Sequence, residues 1–321
     1  MRRLLVAAKI AVTVLLIALV ARAFDLGGLV AYLKRLDAAT AGAVIAVGLG
    51  VLPLQTWRWM MVLDAAGSRL PFGRALVIVM IGHFFNQTLP STVGGDAMRM
   101  WYAYRAGLKP GDAAATVIFD RVIAVAGLLA LTACGLPWLF ELVPEPGARS
   151  AIAAVVAAGF GGLAAAAVLV HFPSLVPDWR VARGFAARAR RLLGSPLRVL
   201  ACAALSTVGF MVYSWMIFHF AQALDARLTL LQALLLVPPV LLISAIPVSV
   251  AGWGLREGAM VVALGFAGVE PAAAFAVSVL FGLAIAVTSL PGAVLWLTSG
   301  QAPRSTREAE DFAAAARRAD G

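Results

Sequence analysis

Apolar residues run in long unbroken stretches along this chain, at about residues 4–24, 39–63, 113–141, 150–171, 197–222 and 272–298, and polar residues gather between them. Each stretch reaches or approaches the roughly 20 residues that a helix needs to cross the hydrocarbon of a bilayer. Strands of a membrane barrel would alternate in short segments, whereas these runs are continuous and rich in Ala, Leu and Val. The pattern therefore predicts an all-α polytopic membrane protein. Two further apolar segments, 76–89 and 229–247, are short or interrupted and suit re-entrant or broken helices better than full spans. The expected organisation is about six full spans plus two such segments in a single membrane domain over residues 1–300, with a short tail over 301–321.

Composition agrees: of 321 residues, 62% are hydrophobic and 13% charged, against about a quarter charged in an ordinary soluble domain. The net charge of +10 does not point to nucleic acid, because the cations flank apolar segments and have no soluble domain to present them. Cys134 and Cys202 lie inside apolar runs without paired spacing and are expected to be packing residues.

The cations also set an orientation. With a cytoplasmic N-terminus, the loops at about 64–75, 98–112 and 172–196 and the C-terminal tail share one side, and they hold Arg69, Arg74, Arg99, Arg105, Lys109, six arginines between Arg180 and Arg198, and Arg304, Arg307, Arg317 and Arg318. The loops at 25–38, 142–149 and 223–228 hold Lys34, Arg35, Arg149 and Arg227. Positive charge accumulates on the cytoplasmic side, so both termini are expected inside. The assignment works only if 76–89 and 229–247 each enter and return, from opposite faces. Met1 to Phe24 also carries features of a secretory signal, with Ala21-Arg22-Ala23 as a small-x-small site. Lys9 within the run favours a retained helix.

The polar stretch after 76–89 has a partner. Pro90-Ser-Thr-Val-Gly-Gly-Asp-Ala-Met-Arg99 aligns without a gap on Pro247-Val-Ser-Val-Ala-Gly-Trp-Gly-Leu-Arg256, with Pro, Val, Gly and Arg identical and four further positions similar. Each copy follows one of the two re-entrant segments. Proline ends the incoming helix and glycine lets the backbone turn. Interrupted helices at matching places in two halves are the sequence pointer to an inverted repeat with a substrate site near the midplane. The helix begun after each turn offers free N–H groups to an anion, and Arg99 and Arg256 near those starts suit a phosphate-bearing head group. A competing account makes Arg99 an orienting charge and Asp96 the N-cap of its helix.

Residues expected around a bound lipid head group are Asn86, Gln87, Thr92, Gly94, Gly95, Asp96, Arg99, Ser249, Gly252, Arg256 and Glu257. Asp120 and Arg121, one or two turns inside an apolar run, are expected to pair with other helices as a cavity ion pair or proton relay. Asp96, Asp120 and Glu257 are the candidates for proton coupling. His83 lies on the first re-entrant segment, and His171 and His219 read as interfacial. Trp57-Arg58-Trp59 reads as an aromatic-belt anchor.

Taken together, Phe85-Asn86, Leu89-Pro90, Gly94-Gly95-Asp96, Arg99, Asp120-Arg121, Pro247, Gly252-Trp253-Gly254 and Arg256-Glu257 resemble the membrane domain of the lysylphosphatidylglycerol synthase/flippase family, from about residue 10 to 300. The resemblance implies an inner-membrane protein that moves an anionic phospholipid or lipid-linked molecule between leaflets: an aminoacyl phospholipid, a hopanoid or a polyprenyl-phosphate-linked compound. Members that also synthesise aminoacylated lipid carry a large soluble domain after the membrane part. This sequence ends about twenty residues after its last span, so a transporter is expected rather than an enzyme. No cofactor is implied and no nucleotide-binding motif is found, which leaves movement downhill or driven by a gradient. Two other functions stay open: a transferase on polyprenyl phosphate that holds Mg²⁺ through Asp96 or Asp120, and a scaffold subunit that carries nothing.

Overall fold

A computed structural model describes residues 36–88, 93–172, 180–245 and 254–298, and these form ten helices and no strand. They are α1 (Ala38–Ala65), α2 (Phe72–Thr88), α3 (Val93–Arg105), α4 (Pro110–Leu142), α5 (Pro146–His171), α6 (Arg180–Leu193), α7 (Pro196–Ala223), α8 (Leu230–Ser244), α9 (Leu255–Gly265) and α10 (Pro271–Thr298). The all-α polytopic fold is thus present. Five helices, α1, α4, α5, α7 and α10, are long and apolar enough to cross a membrane. The expected first span, 4–24, lies outside the described residues, as does the tail.

Local chemistry sets many of the boundaries. Asp37 caps α1 by accepting from the Thr40 amide and hydroxyl, at 2.9 and 2.7 Å, and these bonds hold its carboxyl below the usual aspartate range. Proline opens α4, α5 and α7 at their first turns, where its missing N–H costs nothing. Thr229 and Gln232 form a reciprocal capping box at the start of α8.

The two short segments are helical but stop early. At 17 and 15 residues, α2 and α8 would be about 25 and 22 Å long, less than the roughly 30 Å of hydrocarbon. Each packs on the helix that follows it, α2 on α3 and α8 on α9. Loop boundaries shift from the sequence expectation. The first short helix begins at Phe72 rather than at 76, the presumed 98–112 loop shrinks to the turn between Arg105 and Pro110, and the 172–196 loop contains α6. Arg99 therefore lies in a helix and is buried.

Two large apolar cores and two smaller clusters result. One large core gathers Leu63, Ile78, Ile81, Trp101 and Tyr102 around the α2–α3 pair; the other gathers Met216, Phe220, Leu236, Met260 and Phe281 around α8–α9. The most enclosed span is α10, with 67% of its most apolar stretch buried, whereas α5 has 6% and turns outward. Exposed Trp57, Trp138, Leu197, Val262 and Leu297 form an apolar exterior of the kind that a bilayer covers.

Close contact between helices depends on several glycines, Gly82, Gly95, Gly127 and Gly292 among them. A Cβ on Gly95 would collide with the Gly82 carbonyl and the Asn86 side chain, one on Gly82 would collide with the Arg99 stem, and one on Gly292 would collide with the Met80 carbonyl. Small residues at such crossings let membrane helices approach closely. Gly95→Ala is expected to destabilise the protein by about 1–3 kcal/mol, read as a lower midpoint of thermal unfolding in detergent. Gly50→Ala, which faces open space, should change stability by less than about 1 kcal/mol and in the stabilising direction.

Candidate functional site

Eight of the helices, all but α5 and α6, supply one polar cluster and the cavity beside it. Asp120, 1% exposed, sits three turns into α4 and receives Arg58 from α1 (Nε to Oδ1, 2.7 Å) and Arg99 from α3 (Nη1 to Oδ2, 2.9 Å). Arg58 also donates to Ser206 Oγ on α7 at 3.0 Å. Beside this triad, Arg121 pairs with Asp96 (Nη2 to Oδ2, 2.7 Å). The Asp120-Arg121 neighbours thus pair with other helices and not with each other. A carboxylate held by two guanidinium groups spends its lone pairs on charged donors, which is what lets it stay ionised away from water.

The cluster is not fully satisfied. Arg99 Nε and Nη2 and Asp96 Oδ1 are buried without a hydrogen-bond partner among the described residues. Arg99 Nη1 lies 3.9 Å from Asp96 Oδ1, too far for a hydrogen bond. The Arg99 guanidinium lies over the Trp59 ring at 4.8 Å, a contact that offsets part of its charge. Buried unpartnered donors cost about 1–3 kcal/mol each unless water or a ligand accepts from them.

On the α9 side, Arg256 and Glu257, 6% and 2% exposed, form an ion pair at 2.5 Å. Glu257 also accepts from the Gly254 amide, at a turn whose φ of 86° favours glycine, and from Ser278 of α10. Arg256 lies 5.6 Å from the centre of the Phe281 ring.

A cavity of about 270 Å³ joins the two sides. Arg58, Arg99, Arg121 and Arg256 all line it, with Gln55, His83, Asn86, Gln87, Asp120, Tyr213 and Ser244, and with Phe210, Leu241 and Phe281 as apolar wall. Of the carboxylates paired with these four guanidinium groups, Asp120 lines the cavity, whereas Asp96 and Glu257 lie behind Arg121 and Arg256; four cations against three carboxylates leave one positive charge in excess. It is bounded by both short pairs, so Arg99 and Arg256 share one space. His83 approaches Thr288 of α10 at 3.3 Å.

Several residues sit differently from expectation. Asn86 accepts from the Gly95 amide at 3.1 Å, so it supports the turn as well as lining the cavity. Gly95 serves helix crossing, and Gly94 does not line the cavity. Asp96 is not an N-cap, since α3 starts at Val93; it is an acidic residue of the first turn, where the helix dipole favours it. Arg99, six residues beyond that start, is not at a helix N-terminus. Thr92, Ser249 and Gly252, with Pro90 and Pro247, lie outside the described residues. Trp57-Arg58-Trp59 is not a belt anchor as a unit: Trp57 is 63% exposed, but Trp59 and Arg58 are buried at 0% and 7%. At about 100° per residue the three cannot share a face. Gln55 and Arg58, spaced i, i+3 in an apolar run, are the available signal.

No group of three or more His, Cys, Asp or Glu side chains suited to a metal occurs among the described residues. The fold and cavity define a polytopic helical membrane protein with a buried, arginine-rich central chamber. The chain belongs to the family described as lysylphosphatidylglycerol synthase TM region, whose model matches residues 6–292. Comparison with curated proteins finds no match.

Asp120→Asn is expected to cost about 3–5 kcal/mol, because it strands two buried guanidinium groups. Asp64→Asn, at an exposed pair with Arg69, should cost about 1 kcal/mol or less. Thermal unfolding of the two purified variants in one detergent measures the contrast.

Proposed function

We propose that this protein is a flippase-like transporter that moves an anionic, phosphate-bearing lipid between the leaflets of the membrane, with the head group in the central cavity and the acyl chains in the bilayer. The observation that carries the reading is Arg99: a buried guanidinium with two unpartnered donors, lining a chamber with a positive excess. A phosphate oxygen accepts from such donors in the planar geometry that guanidinium provides. Membership of the family supports the same reading.

Size supports a head group as well. At about 270 Å³ the cavity falls just below the roughly 300–1,000 Å³ that hold whole drug-sized ligands. Arg99 would hold the phosphate from the α2–α3 side and Arg256 from the α8–α9 side. The two short pairs would then be the corresponding parts of an inverted repeat, opening the chamber alternately to either face. Asp120 keeps Arg58 and Arg99 pointed inward, and a ligand phosphate competes with it for the same guanidinium. That competition keeps binding reversible.

In liposomes containing the purified protein, a fluorescent phosphatidylglycerol is expected to exchange leaflets faster than in protein-free liposomes. Arg99→Gln should slow exchange at least tenfold, and Arg99→Lys, which keeps the charge but loses the planar fork, should fall between. Chelation of divalent cations should change nothing. Exchange no faster than in protein-free liposomes would remove the transporter reading, unaltered exchange in both Arg99 variants would remove the phosphate-binding role of Arg99, and exchange abolished by chelation would favour a metal-dependent reading.

A further inference from the structure

The turns after α1 and α3, the first turn of α4 and the last turns of α6 enclose a second cavity, of about 530 Å³, which shares no lining residue with the central one. Arg69, Lys109, Arg188 and Arg191 line it, with Asp112 as the carboxylate among the lining residues. Its floor is made by two tight helix ends. Gly67 (φ 76°) and Gly107 (φ 102°) end α1 and α3 in the left-handed region, and the Ser68 and Leu108 amides reach back to the Leu63 and Ala103 carbonyls at 2.9 and 3.2 Å. These are Schellman ends, which need glycine at that position.

The cations arrive by packing. Taken alone, α6 (RVARGFAARARRLL) reads as a basic amphipathic helix lying on a membrane surface. Its apolar side instead faces protein: Ala186, Ala189 and Leu192 are buried, Ala189 and Leu192 in a cluster with Val62, Ala115 and Phe119, and Phe185 packs on Phe119 at 4.5 Å. Arg188 is fixed by Asp112 at 2.6 Å, and a Cβ on Gly111 would crowd it. The same helix therefore carries Arg191 into the cavity at a set position.

Charge balance shows what is missing. Four cations and one carboxylate leave three positive charges. The C-terminal ends of α1, α3 and α6 contribute about half a negative charge each and the start of α4 about half a positive one, so the dipoles offset only one. Arg69 is partly drawn off by Asp64 at 3.2 Å. Lys109 and Arg191 make no ion pair among the described residues.

We propose that this cavity is a second anion site, which takes a phosphate group at the arginine-rich end of the bundle, independently of the central chamber. The phosphate belongs either to the head group of an anionic phospholipid or to a soluble phosphorylated compound, since basic pockets at the ends of spanning helices suit both.

Native mass spectrometry of the full chain in detergent, titrated with phosphatidylglycerol, phosphatidylcholine or inorganic phosphate, tests it. The double variant Lys109→Gln/Arg191→Gln changes two exposed side chains, and Arg74→Gln/Arg190→Gln removes the same charge from exposed positions outside the cavity. A lipid site predicts that one phosphatidylglycerol adduct weakens at least tenfold in the first variant and less than twofold in the second, while the adduct held by the central cavity persists in both and phosphatidylcholine stays weak throughout. A soluble-phosphate site predicts the same contrast for inorganic phosphate, without preference for the anionic lipid. Equal weakening in both variants, or none in the first, overturns the proposal. Arg99→Gln should leave this binding intact, so loss of the central-cavity reading leaves the second site standing.

Discussion

Burying one carboxylate between two guanidinium groups is the constraint from which the interior follows. Asp120 joins α1, α3 and α4 through Arg58 and Arg99, and none of these side chains could enter a bilayer interior alone. An isolated charge there costs several kcal/mol, so the three helices must come together in the one register that closes the pairs. Ser206 extends the constraint to α7. Apolar packing holds the helices together, but in lipid it discriminates poorly between registers, because lipid tails are as apolar as leucine. The polar triad supplies the register.

That constraint also makes a cavity. Guanidinium groups that converge on one carboxylate cannot pack like leucines, and α2 and α8 both line the space beside them. Close crossings at Gly95 and Gly292 then draw α2 against α3 and α10, which places His83, Asn86 and Gln87 along the wall. On the opposite wall Glu257 binds both Arg256 and the Gly254 amide, so one carboxylate sets a turn and fixes a cation. Stability and the proposed function draw on the same groups: the charges that specify the fold are those that would meet a phosphate.

Much of the candidate site is legible in the amino-acid sequence. Arg99, Asp120, Arg121, Arg256 and Glu257 are conspicuous as charges within apolar surroundings, since such residues are costly in a membrane unless partnered. Arg58 is disguised because its tryptophan neighbours imitate an interfacial belt, and only helix rotation separates exposed Trp57 from buried Arg58 and Trp59. Gly82, Ser206 and Tyr213 carry no signal, because glycine, serine and tyrosine are ordinary in spanning helices until a partner backbone or cavity is known. The dense arginines of α6 read as orientation charge, and the cavity they help to enclose depends on contacts with α1, α3 and α4.

By itself the sequence determined the class of the protein and the positions of its long helices, because continuous apolar runs of spanning length have one stable outcome in lipid: backbone groups must be satisfied within each segment. It also marked two segments as shorter than the rest, and they form helices of 17 and 15 residues. Tertiary structure alone decided which arginine meets which carboxylate, that Arg99 and Arg256 face one chamber, and that α6 docks on the bundle. Those outcomes depend on helix rotation and on crossings a few ångströms apart, and side chains distant in sequence compete for the same partners. Hydropathy along a chain carries no information about that competition.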